Sequence, residues 1–258
     1  MIIKYDQVDL EQWALFSGDY NKVHFDEIFA LNQGLKDKIV HGMLVMLDAK
    51  YLLSNVLSLG NRSLCFYLKS PAYINSTMLF DITEKKNSSR LTVRDSNNNI
   101  CFVANASGDF IDIENSSERR SIPSDLINKK LNLFRKYYPD INQDWIFIDA
   151  LAFSLYISDN DEKPLAKETA AYLKKHNIVD SNDLAVYQVD HKINVTDMLW
   201  RRRDFDFRKL SYNTKGGDLL RSGNDVYGAV EINLFEEDKL IYQLSMGLMV
   251  KVKINLTY

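Results

Sequence analysis

Residues 43–57 form a run in which almost every face of a helix would be apolar, and this run constrains the fold more than any other stretch. A helix of this kind cannot lie on a surface and has to be wrapped by other elements. The run is too short to cross a membrane, which takes about 20 apolar residues. The sequence therefore predicts a helix buried inside a folded domain.

Strand-like stretches separated by turn-forming clusters follow the apolar run. They lie at residues 63–69, 77–84, 89–95 and 99–107. Alternating apolar residues between polar turns are typical of antiparallel strands. One buried helix followed by such strands predicts an α+β fold in which the sheet surrounds the helix.

Two short helices and a polar loop are predicted ahead of the buried helix. The first begins with Asp9 as its N-cap and ends at Gly18, and the second spans residues 26–35 and closes at Gly34. The loop between them carries Asp19 and His24. A carboxylate can hold and polarise a water molecule and histidine titrates near neutral pH, so the pair suits proton transfer.

His41 and Gly42 open the buried helix. Glycine lets a carbonyl group approach the backbone closely, and the N–H groups at a helix start favour negative charge. This start could therefore receive a developing oxyanion. By itself, the Asp19–His24 spacing arises readily by chance, and an aspartate capping a turn beside a packed histidine would fit it equally.

Residues 16–26 (FSGDYNKVHFD) and 39–44 (IVHGML) together resemble the MaoC-like (R)-specific enoyl-thioester hydratases and dehydratases of the hotdog fold. The signature of that family reads approximately FSGDxNPxH, with IVHGM about seventeen residues later. The resemblance covers residues 16–44 well and the next hundred residues loosely. It implies catalytic roles for Asp19 and His24, an oxyanion role for Gly42, a supporting hydrogen bond from His41, and loop-shaping roles for Asn21 and Ser17.

Two positions depart from the pattern of that family. Lys22 stands where many relatives have proline, which loosens the loop without removing a reacting group. Lys50 occupies the position, counted from the His-Gly pair, where well-studied hydratases carry a serine that touches the site. We expect its ammonium to pair with Asp48 or with an acidic or polar acyl substituent, because burying it alone is costly. Lys50 is therefore predicted to reshape the acyl end of the pocket.

A second, divergent hotdog is predicted in the C-terminal half. A weak internal sequence repeat aligns Phe153-Ser154 with Phe16-Ser17. This alignment places Tyr156 at the position of Asp19 and Asp161 at that of His24. The pair is thus not repeated. Further elements are predicted at residues 124–137 and 164–176 (helices) and at 184–195, 203–212, 225–236 and 239–252 (strands).

The predicted organisation is a tandem double hotdog: a first hotdog at residues 1–112, a linker and connecting helix at 113–139, and the second hotdog at 140–258. A single hotdog leaves one sheet edge open to pairing, and fusing two copies makes that pairing intramolecular. Pairing of two whole chains into a homodimer is also compatible with the pattern.

Composition narrows the class of function. The formal net charge of −3 argues against a general nucleic-acid binder, and the two cysteines have no metal or redox spacing. The N-terminal residues do not resemble a signal peptide, so we expect a soluble, cytoplasmic protein that does not insert into membranes. We expect no cofactor and no metal, although Asp19, His24 and His41 could together ligate one.

The arginine run at residues 201–203 could dock a phosphate of phosphopantetheine, but a solvated turn is the more usual role of such a run. His176 and His191 are given no role.

The predicted activity follows from the resemblance and the local chemistry: a hydro-lyase that adds or removes water across the C2–C3 bond of an acyl thioester carried by coenzyme A or acyl carrier protein. Two alternatives remain open, a hotdog that binds acyl thioesters without turnover and a hotdog thioesterase. The intact Asp–His pair favours the hydro-lyase, whereas Lys50 and the divergent second half favour the binding module.

Overall fold

The computed structural model describes residues 1–57, 62–85, 88–108, 118–159, 171, 174, 185–201, 206–217, 219–222 and 225–251. The helices are α1 (Gln7–Ser17), α2 (Glu27–Asn32), α3 (Gly42–Val56), α4 (Ser124–Tyr137), α5 (Asp144–Ser158) and α6 (Asp197–Arg201). Single 3-10 turns occur at Lys22–His24 and Phe207–Lys209. Among the described helices, none is long and apolar enough to cross a membrane.

The strands form a single antiparallel sheet that contains both halves of the chain. They are β1 (Ile2–Lys4), β2 (Arg62–Leu68), β3 (Thr77–Lys85), β4 (Ser88–Arg94), β5 (Ile100–Ser107), β6 (Arg120–Ser121), β7 (Ala185–Val195), β8 (Leu210–Gly216), β9 (Leu220–Ser222), β10 (Asp225–Glu236) and β11 (Lys239–Lys251). Their order is β1-β3-β4-β5-β2-β7-β11-β10-β8-β6, with β9 paired to β10. The halves meet where β2 pairs with β7, for example at Phe66 opposite His191.

Each half packs one apolar helix against its own strands. Helix α3 contacts β3 and β4, and helix α5 contacts β10 and β11. The two helices also contact each other, and their buried side chains belong to one continuous apolar cluster. The predicted α+β arrangement, a buried helix against an antiparallel sheet twice over, is confirmed.

The start of α1 differs from the prediction. The N-cap is Asp6 rather than Asp9: the Asp6 carboxylate accepts hydrogen bonds from the N–H groups of Val8 and Asp9, and the Asp9 carboxylate accepts one from the N–H of Asp6. This reciprocal capping box satisfies N–H groups that a helix start otherwise leaves unpaired. Asp9 therefore stabilises the helix from its third position.

The second half matches several predicted elements and departs from others. Helix α4 and strands β7, β10 and β11 lie where they were expected. Of the strand predicted at 203–212, residues 203–205 lie outside the described residues, 207–209 form the 3-10 turn, and β8 begins at Leu210. The weak internal sequence repeat aligned part of α5 with α1. In the structure α5 packs on the sheet of its half as α3 does, so α5 is the structural counterpart of α3. Asp161, Arg202, Arg203 and His176 lie outside the described residues, as does nearly all of the helix predicted at 164–176.

The segment predicted as linker and connecting helix, residues 113–139, contains β6 and α4. Strand β6 pairs with β8, and α4 packs against α1 and α5. The domain boundaries themselves stay predictions.

Candidate active site

Asp19 is positioned by the end of helix α1. Gly18 closes the helix with a φ of 84°, a left-handed conformation that favours glycine. The hydroxyl of Ser17, which is fully buried, accepts a hydrogen bond from the Asp19 N–H at 3.1 Å. The Asp19 carboxylate in turn accepts one from the Asn21 N–H at 3.2 Å. Ser17 therefore fixes the backbone from which the carboxylate projects.

His24 turns one ring nitrogen towards that carboxylate. Its Nδ1 lies 2.8 Å from the carbonyl oxygen of Ile39, so Nδ1 carries the proton and donates it. The lone pair is then on Nε2, which lies 4.0 Å from Asp19 Oδ2. This separation is too long for a direct hydrogen bond. One oxygen atom of a water or hydroxyl group placed between them can bond to both.

His41 contacts both members of the Asp19–His24 pair. Its ring stacks on that of His24 with centroids 3.7 Å apart, and its Nε2 lies 3.0 Å from the carbonyl oxygen of Asp19. An N–H donated to this carbonyl holds the Asp19 backbone from a second side. Among the described residues, the buried Nδ1 of His41 has no hydrogen-bond partner.

Burial keeps both imidazoles neutral. It lowers the pKa of His24, while the Asp19 charge and the Ile39 carbonyl partly oppose the shift. Burial lowers the pKa of His41 further below its ordinary value, and the neighbouring His24 adds to this effect. At neutral pH the Nε2 of His24 is consequently a proton acceptor beside a carboxylate.

Gly42 presents a backbone donor at the same place. It is the first residue of α3, and within the described part of the chain its N–H has no hydrogen-bond acceptor. A Cβ at this position would lie 2.9 Å from Leu68 Cδ2. The absence of a side chain therefore leaves room for a group to approach the helix N-terminus, where the aligned peptide dipoles favour developing negative charge.

A cavity of about 470 Å³ opens on these groups, within the range usual for small-molecule sites. Both halves line it, with Asp19, His24, Gly42, Leu68 and Phe102 from the first and Phe153, Tyr156, Val186, Gln188 and Leu248 from the second. Asn21 also lines it and ties the loop to the second half, because its Nδ2 donates to the Val186 carbonyl at 3.0 Å. The site is thus built at the seam between the halves.

The group of Asp19, His24 and His41 has the composition of a metal site, and its candidate ligand atoms lie within 4.8 Å of one another. The two rings are only 24° from parallel. Imidazole binds a metal through a lone pair in the ring plane, and lone pairs in two nearly parallel planes cannot both point at one ion. The geometry suits a hydrogen-bonded oxygen better than a metal ion.

Lys50 has a different partner from the one expected. Its Nζ donates to the carboxylate of Asp149 on α5, both side chains are fully buried, and Lys50 is not among the described residues that line the cavity. Asp149 also accepts hydrogen bonds from His191 Nε2 at 2.6 Å and from the hydroxyl of Tyr242. Sequence reasoning missed this cluster because its four members are far apart in the chain.

Comparisons with known proteins agree with the fold and the motif. Residues 2–58 match the family model described as "MaoC like domain". A solved structure titled "MaoC-like dehydratase" is 9% identical, covers 98% of this chain and 96% of its own, and superposes with a TM-score of 0.50. The comparison with curated proteins gave no match.

Two further solved structures show the range of similar proteins. An (R)-hydratase from A. caviae involved in PHA biosynthesis is 20% identical over 41% of this chain and 88% of its own, with a TM-score of 0.35. The acyl-CoA thioesterase II TesB2 from Mycobacterium marinum is 13% identical over 84% of this chain and 91% of its own, with a TM-score of 0.46.

The fold and the site define a hotdog protein with an Asp–His pair at the seam of its two halves. The matched segment contains Asp19, His24, His41 and Gly42, so the resemblance to the MaoC-like family is confirmed for the part of the chain that carries the site.

Proposed function

We propose that this protein is a hydro-lyase that adds water to, or removes it from, the C2–C3 bond of an acyl thioester. The observation that carries the proposal is the 4.0 Å gap between Asp19 Oδ2 and His24 Nε2, with the free N–H of Gly42 at the same cavity. The pair can hold one water molecule, and the N–H can hold the thioester carbonyl. These are the groups that the reaction needs.

In the hydration direction, the bound water donates one hydrogen bond to Asp19 and one to His24. Its oxygen attacks C3 of a trans-2-enoyl thioester, and the proton that it loses is taken up by the pair. The same proton is then delivered to C2 on the same face, which gives the (R)-3-hydroxyacyl thioester. Dehydration reverses these steps, with the pair removing the C2 proton and returning it to the leaving hydroxyl.

The thioester oxygen gains negative charge as the C2–C3 double bond is attacked. The Gly42 N–H would stabilise this enolate-like oxygen, aided by the dipole of α3. General acid–base catalysis contributes roughly 10²–10⁴-fold, and one oxyanion donor about 10²–10³-fold. Together the two effects supply a large part of an enzymatic rate enhancement, and the proposed steps require neither a metal nor a redox cofactor.

The substrate handle would be the pantetheine arm of coenzyme A or of a carrier protein. The apolar walls formed by Leu68, Phe102 and Phe153 suit an acyl chain. The MaoC-like domain match and the Asp–His pair support the hydro-lyase over a thioesterase or a binding module.

The test is loss of the conjugated enoyl-thioester absorbance with a panel of trans-2-enoyl thioesters on coenzyme A and on carrier protein. Asp19→Asn and His24→Ala should each lower kcat at least 10²-fold while thermal melts stay cooperative. Tyr20→Phe is the matched control, because Tyr20 is an exposed neighbour in the same loop and should keep wild-type rates.

Other outcomes identify the alternatives. Release of free thiol without formation of the 3-hydroxyacyl product would identify a thioesterase. Binding of acyl thioesters without turnover on the whole panel would identify a binding module. Wild-type rates in both the Asp19 and His24 variants would reject the assignment of the pair.

A further inference from the structure

Strand β7 brings two side chains to the same face that a regular strand would separate. Side chains alternate between faces along a strand, so Gln188 and His191, three residues apart, would point in opposite directions. The register of β7 on β11 shifts here: Gly247 lies opposite Asp190, and Leu248 lies opposite Gln188. This β-bulge inserts Val189 as an extra residue and returns both side chains to one face.

Gly247 makes room for this bulge. A Cβ on Gly247 would lie 3.1 Å from Val189 Cγ2 and would collide with the carboxylate of Asp190. Bulges of this kind often aim a side chain at a functional site. Here the bulged segment borders the cavity, which Gln188 and Val189 both line.

The buried cluster behind β7 fixes the proton on His191. Burial alone would raise the pKa of the Asp149 carboxyl, but the ammonium of Lys50 and the hydrogen bond from His191 hold it below its ordinary value, so Asp149 is charged. Burial lowers the pKa of His191, which is therefore neutral and carries one proton. The 2.6 Å contact with the carboxylate places that proton on Nε2.

The orientation of the Gln188 amide follows from this proton. His191 Nδ1 has only a lone pair to offer, so its partner at 2.9 Å has to be the donating Nε2 of Gln188. The amide oxygen is then the other end of the group. It lies 3.8 Å from the position that a Cβ on Gly42 would occupy, and no described residue donates a hydrogen bond to it.

We propose that Gln188 is a substrate-binding residue whose amide oxygen accepts a hydrogen bond from the amide N–H of the pantetheine arm. The inference rests on the proposed function, because it takes the thioester carbonyl to lie on Gly42. Two methylene groups separate that N–H from the thioester sulfur. The pantetheine arm of a thioester whose carbonyl is bound at Gly42 would therefore run past the amide oxygen of Gln188. His191 and Asp149 are positioning residues that hold this oxygen in place.

The chemistry gives the second half of the chain a role in recognition. The first half supplies the acid–base pair and the oxyanion donor. The second half binds the amide N–H, which is the group that distinguishes a pantetheine thioester from a simple thioester. A carboxylate at position 188 would bring a negative charge to the oxyanion site, whereas the neutral amide offers an acceptor without that charge.

The test compares two trans-2-butenoyl thioesters that differ in one group. One is built on N-acetylcysteamine, which carries the amide N–H, and the other on its ester isostere, in which oxygen replaces that N–H. Wild-type protein should prefer the amide about three- to tenfold in kcat/KM, the size expected of one neutral hydrogen bond. Gln188→Met, of similar length but without an acceptor, should reduce the preference to about one.

A matched control is Gln243→Met, the same change on β11 at a residue whose side chain bonds to Asn194 and which is not among the described lining residues. It should keep the wild-type preference. The dissociation constants of the saturated butanoyl thioesters of the two handles, measured by calorimetric titration, give the same ratio without turnover. If Gln188→Met folds poorly, Gln188→Ala, which also removes the amide oxygen, is measured in its place.

Equal kcat/KM and equal dissociation constants for the two handles in the wild type would overturn the role of Gln188 while leaving the proposed function intact. Retention of the amide preference by Gln188→Met would overturn it as well. Failure of the proposed function looks different, because no butenoyl thioester would then be hydrated. The dissociation constants of the two saturated thioesters, compared between the wild type and Gln188→Met, would still report whether Gln188 bonds to the amide.

Discussion

The ammonium of Lys50 on α3 donates a hydrogen bond to the carboxylate of Asp149 on α5, and neither side chain has any exposed surface. This ion pair joins the central helices of the two halves. Two further donors, His191 and Tyr242, complete the coordination of the carboxylate. A protein in which one partner of a buried ion pair is removed is far less stable than one with the complete pair or with an apolar replacement for it.

Lys50→Met should therefore lower the free energy of unfolding by about 3–5 kcal/mol, because Asp149 would keep its charge without its cation. The double variant Lys50→Met/Asp149→Asn should recover part of this loss, since an amide oxygen can still accept from His191 and Tyr242. Urea denaturation of the wild type and the variants measures both effects. A loss below about 1 kcal/mol for Lys50→Met would show that the pair matters little.

Gly42→Ala should impair catalysis more than folding. The added methyl group would lie 2.9 Å from Leu68 Cδ2, the far end of a flexible side chain that can move. It would also occupy the space that the proposed function gives to the thioester carbonyl. We expect kcat/KM to fall about 10²–10³-fold with little change in melting temperature. Ser54→Ala on the same helix, which removes a hydroxyl bonded to the Lys50 carbonyl, is the control and should retain activity.

The pH dependence of hydration should reflect the buried His24. In the proposed mechanism its neutral form accepts the proton, and burial lowers its pKa below the ordinary histidine value of about 6.5. The rate should therefore be constant from pH 8 to about pH 6.5 and fall only at lower pH. Because the Asp19 charge opposes this lowering, the residual activity of Asp19→Asn should fall at still lower pH. An acidic limb at or above pH 6.5 in the wild type would contradict this account.

Acid should also destabilise the fold. Burial lowers the pKa of His24, His41 and His191, so below about pH 6.5 the unfolded chain binds more protons than the folded one and stability falls. Asp48 acts oppositely, because its pKa of about 6 lets the folded state hold a proton that the unfolded state releases. We expect a net loss of roughly 1–3 kcal/mol per pH unit between pH 6.5 and 5.5.

Urea denaturation at pH 7.5, 6.5 and 5.5 measures this loss. His41→Asn should make the dependence shallower by removing one of the three groups. Constant stability over this interval would show that the buried histidines are protonated at no cost in the folded state.

One ligand should bind per chain. The second half contributes cavity wall, including Tyr156, whose pKa burial raises to about 12, and it contributes no described counterpart of the Asp19–His24 pair. Calorimetric titration with a saturated acyl thioester should give a stoichiometry of one. Two sites of equal affinity would show that the halves act independently.

The first half could be predicted largely from the sequence because its signals are local. The apolar run at 43–57 corresponds to α3, and the strands at 77–84 and 89–95 lie within one residue of β3 and β4. The candidate site was indicated by the family signature around Asp19, His24 and Gly42, since the spacing of the pair alone arises readily by chance.

The Lys50–Asp149–His191–Tyr242 cluster could not be predicted in the same way. Its members come from two helices and two strands, and the hydrogen bonds to Asp149 span 99, 42 and 93 positions of the chain. Lys50 was noticed only as a departure from a family pattern, and no local pattern indicated its partner. The position of Gln188 depends in addition on a bulge, which shifts the alternation that strand prediction assumes.

The two outermost strands of the described sheet are short: β1 has three residues and β6 has two. A sheet edge can act as a template on which a strand of another molecule continues the hydrogen-bond ladder. At one end β1 pairs only with residues 77–79 of the nine-residue β3, and at the other β6 pairs only with Ser211 and Tyr212 of the seven-residue β8. Each end of the described sheet therefore has a stepped edge, in which a short outer strand lies beside a longer strand that it only partly pairs with. A single incoming strand cannot pair along the whole of such an edge, which disfavours growth into filaments by strand addition.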